Sequence, residues 1–505
     1  MIHLRAEPMT DTTPLQLPLI DGEAPMLVHL AAEYFPYART GGLAEAAWGL
    51  HRYQHRRGLS TMAIVPLYRS AHPHLHDLEP VGDPYSLQFG ERRETFRLLR
   101  ERHPASETPV CFIEHAGFFD RTGIYGERGA DYPDNHRRFA GFAAAAVAGL
   151  RRLTDGPVVL HSHDWHTALA PVYLRSWFRD DPWYARIPAV MSVHNGGYQG
   201  HFGPEVMPEL GLGWEYYTVD RLEWYGKVNL LKGGLMFTDM ATTVSPSHSR
   251  ELRTAAGGFG LQEVYEWMGE RFTGVLNGID QDAWDPRHDR FIVARYSADD
   301  LEGKRACKAA TQKRFGLPEN PFVPLVGHAG RMVTQKGLDL IVRNHALFQL
   351  SAQYVFLGNG ERKFEEALAH LRAAMPHRIG VQTTFDDETE HVLMAGSDIY
   401  MMPSQYEPCG LTQMRAQRYG TIPVARRVGG LSDTIDDGVT GFLFDAYEDR
   451  ALVGGMWRAM TEHRSARAWR EMQRAAMQRD FGWDRVAEKY LDIYSRAITL
   501  AAELR

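Results

Sequence analysis

"MLVHLAAEYFPYARTGGLAEAAWGL" (residues 26–50) passes from a short β-rich run, through a turn carrying Gly41 and Gly42, into a stretch of helical character. Adjacent glycines let a backbone approach a ligand closely, and a helix start offers unpartnered amides to an anion. The plainer alternative for the pair is a flexible strand-to-helix turn. What decides the fold is that the alternation recurs. Further β-rich runs follow at "STMAIVPLY", "PVVLHSHDW", "IPAVMSVHN", "MATTVSPS" and "TGVLNGID". A second series opens at "PFVPLVGHAGRM" and continues through "AQYVFLGNG", "RIGVQTTF", "DIYMMPS", "IPVARRVGG" and "GFLFD". Strands alternating with helices predict parallel sheets with crossover helices, an α/β fold with no repeat at solenoid period.

Between the two series lies "QDAWDPRHDRFIVARYSADDLEGKRACK", polar and turn-rich, which places a domain boundary near residues 280–305. The chain therefore reads as two doubly wound, Rossmann-like domains, residues 26–280 and 281–484. In such sheets ligands bind beyond the carboxyl ends of the strands. Polar residues gather at those ends: Glu33, His163 and Asp164, His194 and Asn195, Arg331, and Glu407. Two strand-end clusters on two domains predict a central cleft.

Composition bounds the function. A chain of 505 residues exceeds one ordinary core, and at about 150 residues per domain it holds two to four. The 44% hydrophobic and 24% charged residues fit a packed globular protein. Fifty-six Lys+Arg against 63 Asp+Glu give −7 without long like-charge blocks, so neither a nucleic-acid nor a membrane partner is expected. Cys111, Cys307 and Cys409 form neither a close pair nor an even set, which points to a reducing, cytoplasmic setting. The longest apolar run, residues 139–150, falls short of the roughly 18 residues a membrane span needs. Residues 1–25 lack a basic-then-apolar signal pattern and are expected to form a flexible leader.

Three stretches carry chemistry. "HSHDWHTAL" (161–169) sets three imidazoles and a carboxylate around a strand end. A metal is one reading, since histidine is a common ligand. The expectation is otherwise: His161 and His163 on alternate faces of the strand and His166 opening the next helix, so that the three need not converge, with a sugar-binding or proton-handling histidine favoured over a metal and a structural His161 as the plainer alternative. "GHAGRMVTQKGLDLI" (327–341) puts Arg331 and Lys336 on either side of a turn that opens a helix, two cations suited to a diphosphate. Ordinary surface basicity would explain either one alone. In "YEPCGLTQMRAQRYGTIP" (406–423), Gly410, Leu411 and Thr412 are expected to form a first helical turn able to hold phosphate oxygens. Glu407 sits just outside it, where a carboxylate accepts hydrogen bonds from sugar hydroxyls. A carboxylate beside an anion site is reasonable when a polyol separates them, as in a nucleotide sugar. The plainer alternative is a helix-capping Glu407 and a core-packed Cys409.

Taken together, "RTGGLAE", "DRTGIYGERGADYPDNHRRFAGF", "HSHDWH", "SVHNGGYQGHF", "NLLKGGLMFTDMATTVSPSHSREL", "LNGID", "TQKGLDL", "YEPCGLTQMRAQRYGTIPVARRVGGLSDTI" and "MQRDFGWDRVAEKYLDIY" resemble the bacterial glycogen synthases and plant starch synthases. These are retaining glycosyltransferases of family 5 with the two-domain GT-B fold. The resemblance spans roughly residues 26–495 and rests on the order of the motifs, each weak alone. It implies transfer of glucose from ADP-glucose to the non-reducing 4-hydroxyl of glycogen or a malto-oligosaccharide, with retention and with no metal or other cofactor. By motif, Arg331 and Lys336 would neutralise the diphosphate, assisted by the amides of Leu411 and Thr412, with Arg39, Gly41, Gly42, Cys409 and Gly410 also lining the donor. Glu407 would bind the glucose 3- and 4-hydroxyls. His163 would contact O6 and offer its carbonyl near the anomeric carbon, Asp134 and Asn277 would orient the donor sugar, and Tyr125 would touch the acceptor. No carboxylate is placed as a nucleophile, which favours front-face displacement. The end of the chain, residues 485–505, is expected to pack back on the first domain as a helix with Val486, Tyr490, Ile493 and Tyr494 on one face.

The chain departs from the family pattern in places. Arg39 stands where the bacterial enzymes carry lysine, "HNGGYQG" has two glycines in place of a bulkier apolar pair, and "GRMVTQKG" replaces the usual Ser-Arg-Leu. Rival readings are a retaining hexosyltransferase using UDP-glucose or another acceptor, and a non-catalytic glucan-binding scaffold.

Overall fold

The computed structural model describes residues 14–127 and 129–503. It divides into two compact units. The first holds the chain up to Thr243, Leu252–Val275 and the stretch from Trp483 onward; the second holds Val244–Glu251 and Leu276–Gly482.

In the first unit, strand Met26–Leu30 lies between Val158–His163 and Thr61–Pro66. Outward on one side come Ala189–Val193, Met240–Thr243 and Phe272–Gly274; on the other comes Val110–Glu114. These strands are parallel. Thr61–Pro66, Val158–His163 and Ala189–Val193 are buried along their whole length, as parallel strands covered on both faces must be. Successive residues of a strand point to opposite faces. Val28, Leu30 and Leu160 accordingly pack with Ala143–Val147 of helix Asn135–Leu153. Leu27 and Val159 pack instead with Leu50 and Tyr53 of helix Gly42–Arg56 and with Val486, Tyr490, Ile493 and Tyr494 of helix Asp484–Glu503.

The antiparallel edge formed by Leu78–Pro80, Tyr85–Phe89 and Arg92–Glu101 was not anticipated from sequence. Its longest strand, "RRETFRLLRE", turns a charged face to solvent and buries little more than Phe96, Leu98 and Leu99, so it lacks the apolar run of its central neighbours. "TGVLNGID" is strand only as far as Gly274, after which Leu276 onward joins the second unit. Of the expected leader, residues 1–13 lie outside the described residues. The rest is anchored at two points rather than packed throughout: Leu15 and Leu17 are buried in the cluster under the terminal helix, and the Leu15 amide donates to the Arg57 carbonyl at 2.9 Å.

The second unit is a parallel sheet in the order Ile379–Gln382, Gln353–Leu357, Leu325–Ala329, Ile399–Met402, Ile422–Arg426, Phe442–Phe444. Its two faces carry separate apolar layers, one with Val326 and Tyr354, the other with Leu325 and Val355. In both units the first strand sits mid-sheet, the chain runs outward to one side, and then it returns to start the other. Each unit thus has a switch point beside its first strand, where crossover connections diverge and leave a crevice.

Candidate active site

At the first unit's switch point Glu33 lies just past strand Met26–Leu30. Its carboxylate accepts hydrogen bonds from the Thr40 amide (2.6 Å), the Thr40 hydroxyl (2.7 Å), the Gly41 amide (3.1 Å) and the Tyr125 hydroxyl (2.6 Å). Four donors on one buried carboxylate fold the Gly41–Gly42 loop back over the strand end and hold helix Gly42–Arg56 in place. Arg39, on the rim of this loop, pairs with Glu45 at 3.5 Å. Tyr125 stacks on His166, ring centres 4.6 Å apart.

Across the switch point, Asp164 follows strand Val158–His163 with φ +59°, a conformation few side chains adopt. Its carboxylate accepts from the backbone amides of His194 (2.6 Å) and Asn195 (3.3 Å), so it fixes the loop that leaves strand Ala189–Val193. Burial pushes the Asp164 carboxyl up to about 7, against the pull of those two amides. His194 is half-buried, and its Nε2 lies 2.9 Å from Nδ1 of His163. Burial lowers His194 to about 3 and holds His163 far below the usual histidine range. Both imidazoles are therefore neutral.

In the second unit Glu407 follows strand Ile399–Met402 and is only 4% exposed. Its Oε2 accepts from Lys336 Nζ at 2.6 Å and from the Ser404 hydroxyl at 3.1 Å, and its carbonyl accepts from the Gly430 amide at 3.1 Å. Gly429, at φ +44°, crosses so close to that carbonyl that a Cβ would collide with it. Lys336 comes from the turn after strand Leu325–Ala329, on the other side of the switch point. Arg331, from the same turn, is exposed, with Nη2 3.4 Å from Gln335 Oε1. Gly410 adopts φ +72° and leads into helix Thr412–Arg418, whose first-turn amides have no intrahelical acceptors. Cys409 and Asn277 are buried beside it, and burial pushes the Cys409 thiol up to about 12. Such a thiol is inert packing. Each unit thus presents, at its switch point, a buried carboxylate held by several donors: Thr40, Gly41 and Tyr125 on Glu33, and Lys336 and Ser404 on Glu407.

The starch synthase catalytic domain family matches residues 27–267, and the glycosyl transferases group 1 family matches residues 310–476. A glycogen synthase of Anaeromyxobacter sp. is 43% identical over 477 residues, covering 93% of this chain and 98% of that one. The chain belongs to the glycogen synthase family. A glycogen synthase of Syntrophotalea carbinolica is 40% identical with the same coverage. Among solved structures, the catalytic domain of starch synthase IV from Arabidopsis thaliana, bound to ADP and acarbose, superposes with a TM-score of 0.86 at 31% identity, over 94% of this chain and 100% of that one. A sucrose-phosphate synthase from Thermosynechococcus elongatus shares the fold alone, at TM-score 0.60 and 17% identity. The fold is GT-B, and the activity is that of a glucosyltransferase of the glycogen and starch synthase type.

Within this glycogen synthase framework, the residues expected from sequence divide. Glu407 and Lys336 meet directly, and Arg331, Cys409, Gly410, Leu411, Thr412 and Asn277 lie on the same unit. Gly41 and Tyr125 converge on Glu33, which the strand-end rule had flagged without assigning it a role, and Gly42 begins the helix that follows. Two of the expected residues already have partners within the fold. His163 is 1% exposed, with one ring nitrogen 3.1 Å from His29 and the other against His194, and its carbonyl accepts from the Thr167 hydroxyl at 2.9 Å. Both ring nitrogens are engaged within the fold, while the carbonyl keeps a second acceptor lone pair. Asp134 is committed to a two-pronged pair with Arg121, at 2.7 and 2.6 Å, which ties down its own loop. The expected placing of His161 and His163 on alternate faces is also overturned. Residues two apart on a strand share a face, and the two rings lie 4.2 Å apart. His166, by contrast, turns away to stack under Tyr125.

Proposed function

We propose that this protein transfers glucose from ADP-glucose to the non-reducing 4-hydroxyl of an α-1,4-glucan, glycogen or a malto-oligosaccharide, with retention of configuration. The observation that carries this reading is the Lys336–Glu407 pair at a GT-B switch point, cation and hydroxyl acceptor held 2.6 Å apart, as a sugar diphosphate requires. It is supported by the starch synthase of the same fold that binds ADP and acarbose.

In this reading Arg331, Lys336 and the amides of Leu411 and Thr412 face the diphosphate, where negative charge grows as the glycosidic bond breaks. Preorganised donors of this kind stabilise the leaving group without reorganising. Glu407 accepts hydrogen bonds from glucose hydroxyls, and Asn277, Cys409 and Gly410 shape the wall beside it. On the first unit, Arg39, Gly41 and Gly42 approach the donor, Tyr125 the acceptor, His163 offers its carbonyl toward the anomeric carbon, and His194 adds a half-buried imidazole beside it. His194 stands one residue beyond its strand end, with one ring nitrogen unbonded among the described residues.

Neither switch-point carboxylate of the first unit is free to attack carbon. Glu33 spends both oxygens on four donors, and Asp164 is pinned by two amides. This supports front-face displacement: the C1–O bond to the diphosphate breaks with its electron pair leaving on ADP, the acceptor O4 bonds to C1 on the same face, and the O4 proton passes to a phosphate oxygen.

The test is incorporation of labelled glucose into glycogen from ADP-glucose and, in parallel, UDP-glucose, for wild type and Glu407→Ala. Incorporation that prefers ADP-glucose and collapses in the variant is expected. Preference for UDP-glucose would overturn the donor assignment, glycogen binding without turnover would indicate a scaffold, and a trapped glucosyl-carboxylate would exclude front-face displacement.

A further inference from the structure

The turn that aims Glu407 is held from outside its own strand. Strand Met240–Thr243 belongs to the first unit, but the chain joins the second at the next residue, and Val244–Glu251 stays there. Ser245 stands at the start of helix Pro246–Leu252. Its hydroxyl accepts from the His248 amide at 3.1 Å and donates to the Pro408 carbonyl at 2.6 Å. A carbonyl only accepts, so the direction of that bond is fixed. Near the other end of the helix, Glu251 Oε1 accepts from the Gly429 amide at 2.8 Å. Between the two, the Ser247 amide and hydroxyl donate to the two oxygens of Asp433, at 2.8 and 2.7 Å.

These contacts reach Glu407 in two short steps. Pro408 follows it in sequence, and with no N–H a proline offers the backbone only its carbonyl. Gly429 precedes Gly430, whose amide is shared between the Glu407 and Pro408 carbonyls at 3.1 and 3.2 Å. Beneath the turn, Val244, Ile279, Cys409, Met414 and Phe481 form one buried apolar cluster, with Leu276 and Leu411 packed against it. The chain passes between the units after Thr243, Glu251, Val275 and Gly482. Each passage lends a residue to the turn or to the cluster below it: Val244 and Ser245, Glu251, Leu276, and Phe481.

The plainer role for Ser245 is helix capping, which uses its oxygen as an acceptor and which aspartate performs as well. The bond to Pro408 also needs a proton to donate, which an aspartate lacks. For Glu251 the plainer role is a pairing with His248, whose Nδ1 lies 3.5 Å from Oε2; that leaves Oε1 on the Gly429 amide.

We propose that Ser245 and Glu251 are positioning residues for the donor site: through Pro408 and Gly429 they fix the turn from Glu407 to Thr412, and with it the aim of the sugar-binding carboxylate and of the amides beside it. This rests on the reading of Glu407 given above. A misplacement of about 1 Å at a reacting group costs on the order of a hundredfold in rate, so the loss of one tether should show in kcat. Arg331 and Lys336 come from a different turn, so binding of the diphosphate should change little.

The test uses the full-length chain with two readouts: steady-state kinetics with ADP-glucose and glycogen, and hydrogen exchange of the peptide spanning 403–412. Ser245→Gly keeps most of the capping and removes the donor. Glu251→Ala removes the acceptor, whereas Glu251→Gln keeps an acceptor oxygen without the charge. In Ser245→Gly and Glu251→Ala, exchange over 403–412 is expected to rise about tenfold and kcat to fall about tenfold, with donor KM within about threefold. Glu251→Gln should restore both readouts to within about twofold of wild type. Should Ser245→Gly loosen the helix, Glu251, with its side chain 35% exposed, gives the second reading. Glu251→Gln as impaired as Glu251→Ala would overturn the proposal, because it would assign the effect to charge. Unchanged kcat in both Ser245→Gly and Glu251→Ala would overturn it too. With exchange also unchanged, the tethers do not hold the turn; with exchange raised and Glu407→Ala equally active, it is the reading of Glu407 that fails.

Discussion

The Lys336–Glu407 pair yields a prediction whose sign is not obvious. In the ligand-free protein Lys336 is committed to Glu407 at 2.6 Å, with the two side chains 23% and 5% exposed. At an effective dielectric of about 20, unit charges at that distance attract by about 6 kcal/mol. Desolvation offsets much of this, so a net pair strength of roughly 1.5–3 kcal/mol is reasonable. A diphosphate must compete with Glu407 for the same ammonium. Glu407→Gln keeps the shape and the Ser404 contact but frees Lys336, so ADP is expected to bind about tenfold tighter, a gain of about 1.4 kcal/mol. Turnover should fall by roughly a hundredfold or more, because glucose hydroxyls lose their charged acceptor. Lys336→Ala alone should weaken ADP. In that background Glu407→Gln should help ADP only about twofold, the remainder being through-space repulsion between carboxylate and phosphate. Calorimetric titration of ADP into the four proteins at fixed ionic strength decides it. Weaker ADP binding by Glu407→Gln, or a gain that persists in full without Lys336, would refute the competition.

Two further perturbations test the scaffold. Asp164 titrates near 7 in the fold, up from an ordinary 3.8, because burial opposes its charge. The folded state therefore binds more protons than the unfolded between about pH 4 and 7, and stability falls as pH rises through that window. Asp164→Asn should abolish this slope and stabilise the first unit at pH 8 by up to roughly 4 kcal/mol, with no gain at pH 4. Calorimetric scans at both values check it, and equal midpoints at pH 8 would count against it. Gly49→Ala drives a Cβ into the Trp483 indole, where the chain re-enters the first unit. A cost of about 1–3 kcal/mol is expected, with faster amide exchange along helix Asp484–Glu503.

Much of the fold was legible because its signal is local. Buried parallel strands read as short apolar runs, and those of the central sheets were found, apart from Val110–Glu114, whose partner strands on the edge were missed with it. Arg92–Glu101 has only Phe96, Leu98 and Leu99 as apolar residues and sits in a stretch dense with arginine and glutamate, so it lacks the apolar run of a buried strand. Leu15 and Leu17 were set aside with the leader for a similar reason. Two leucines among prolines look solvated until the terminal helix, far off in sequence, supplies the surface that covers them.

The histidines mark where sequence spacing stops being informative. "HSHDWH" draws attention by density, yet density is what a buried network looks like too. One part of the misreading was avoidable: His161 is in register with His29 on the neighbouring strand, and the period of two puts His163 on the same covered face. Another usable signal was position. His163 is the last residue within its strand, still beneath the helices, whereas His194 is the first beyond its own, where the chain clears the sheet. The rest was out of reach, since His161 meets Tyr494 of the terminal helix and His29 meets Gln54, which itself bonds Tyr494 from 440 residues away. A strand-end rule can therefore name the loops that face a substrate. Which of two histidines is scaffold and which is exposed depends on partners that only the folded chain brings together.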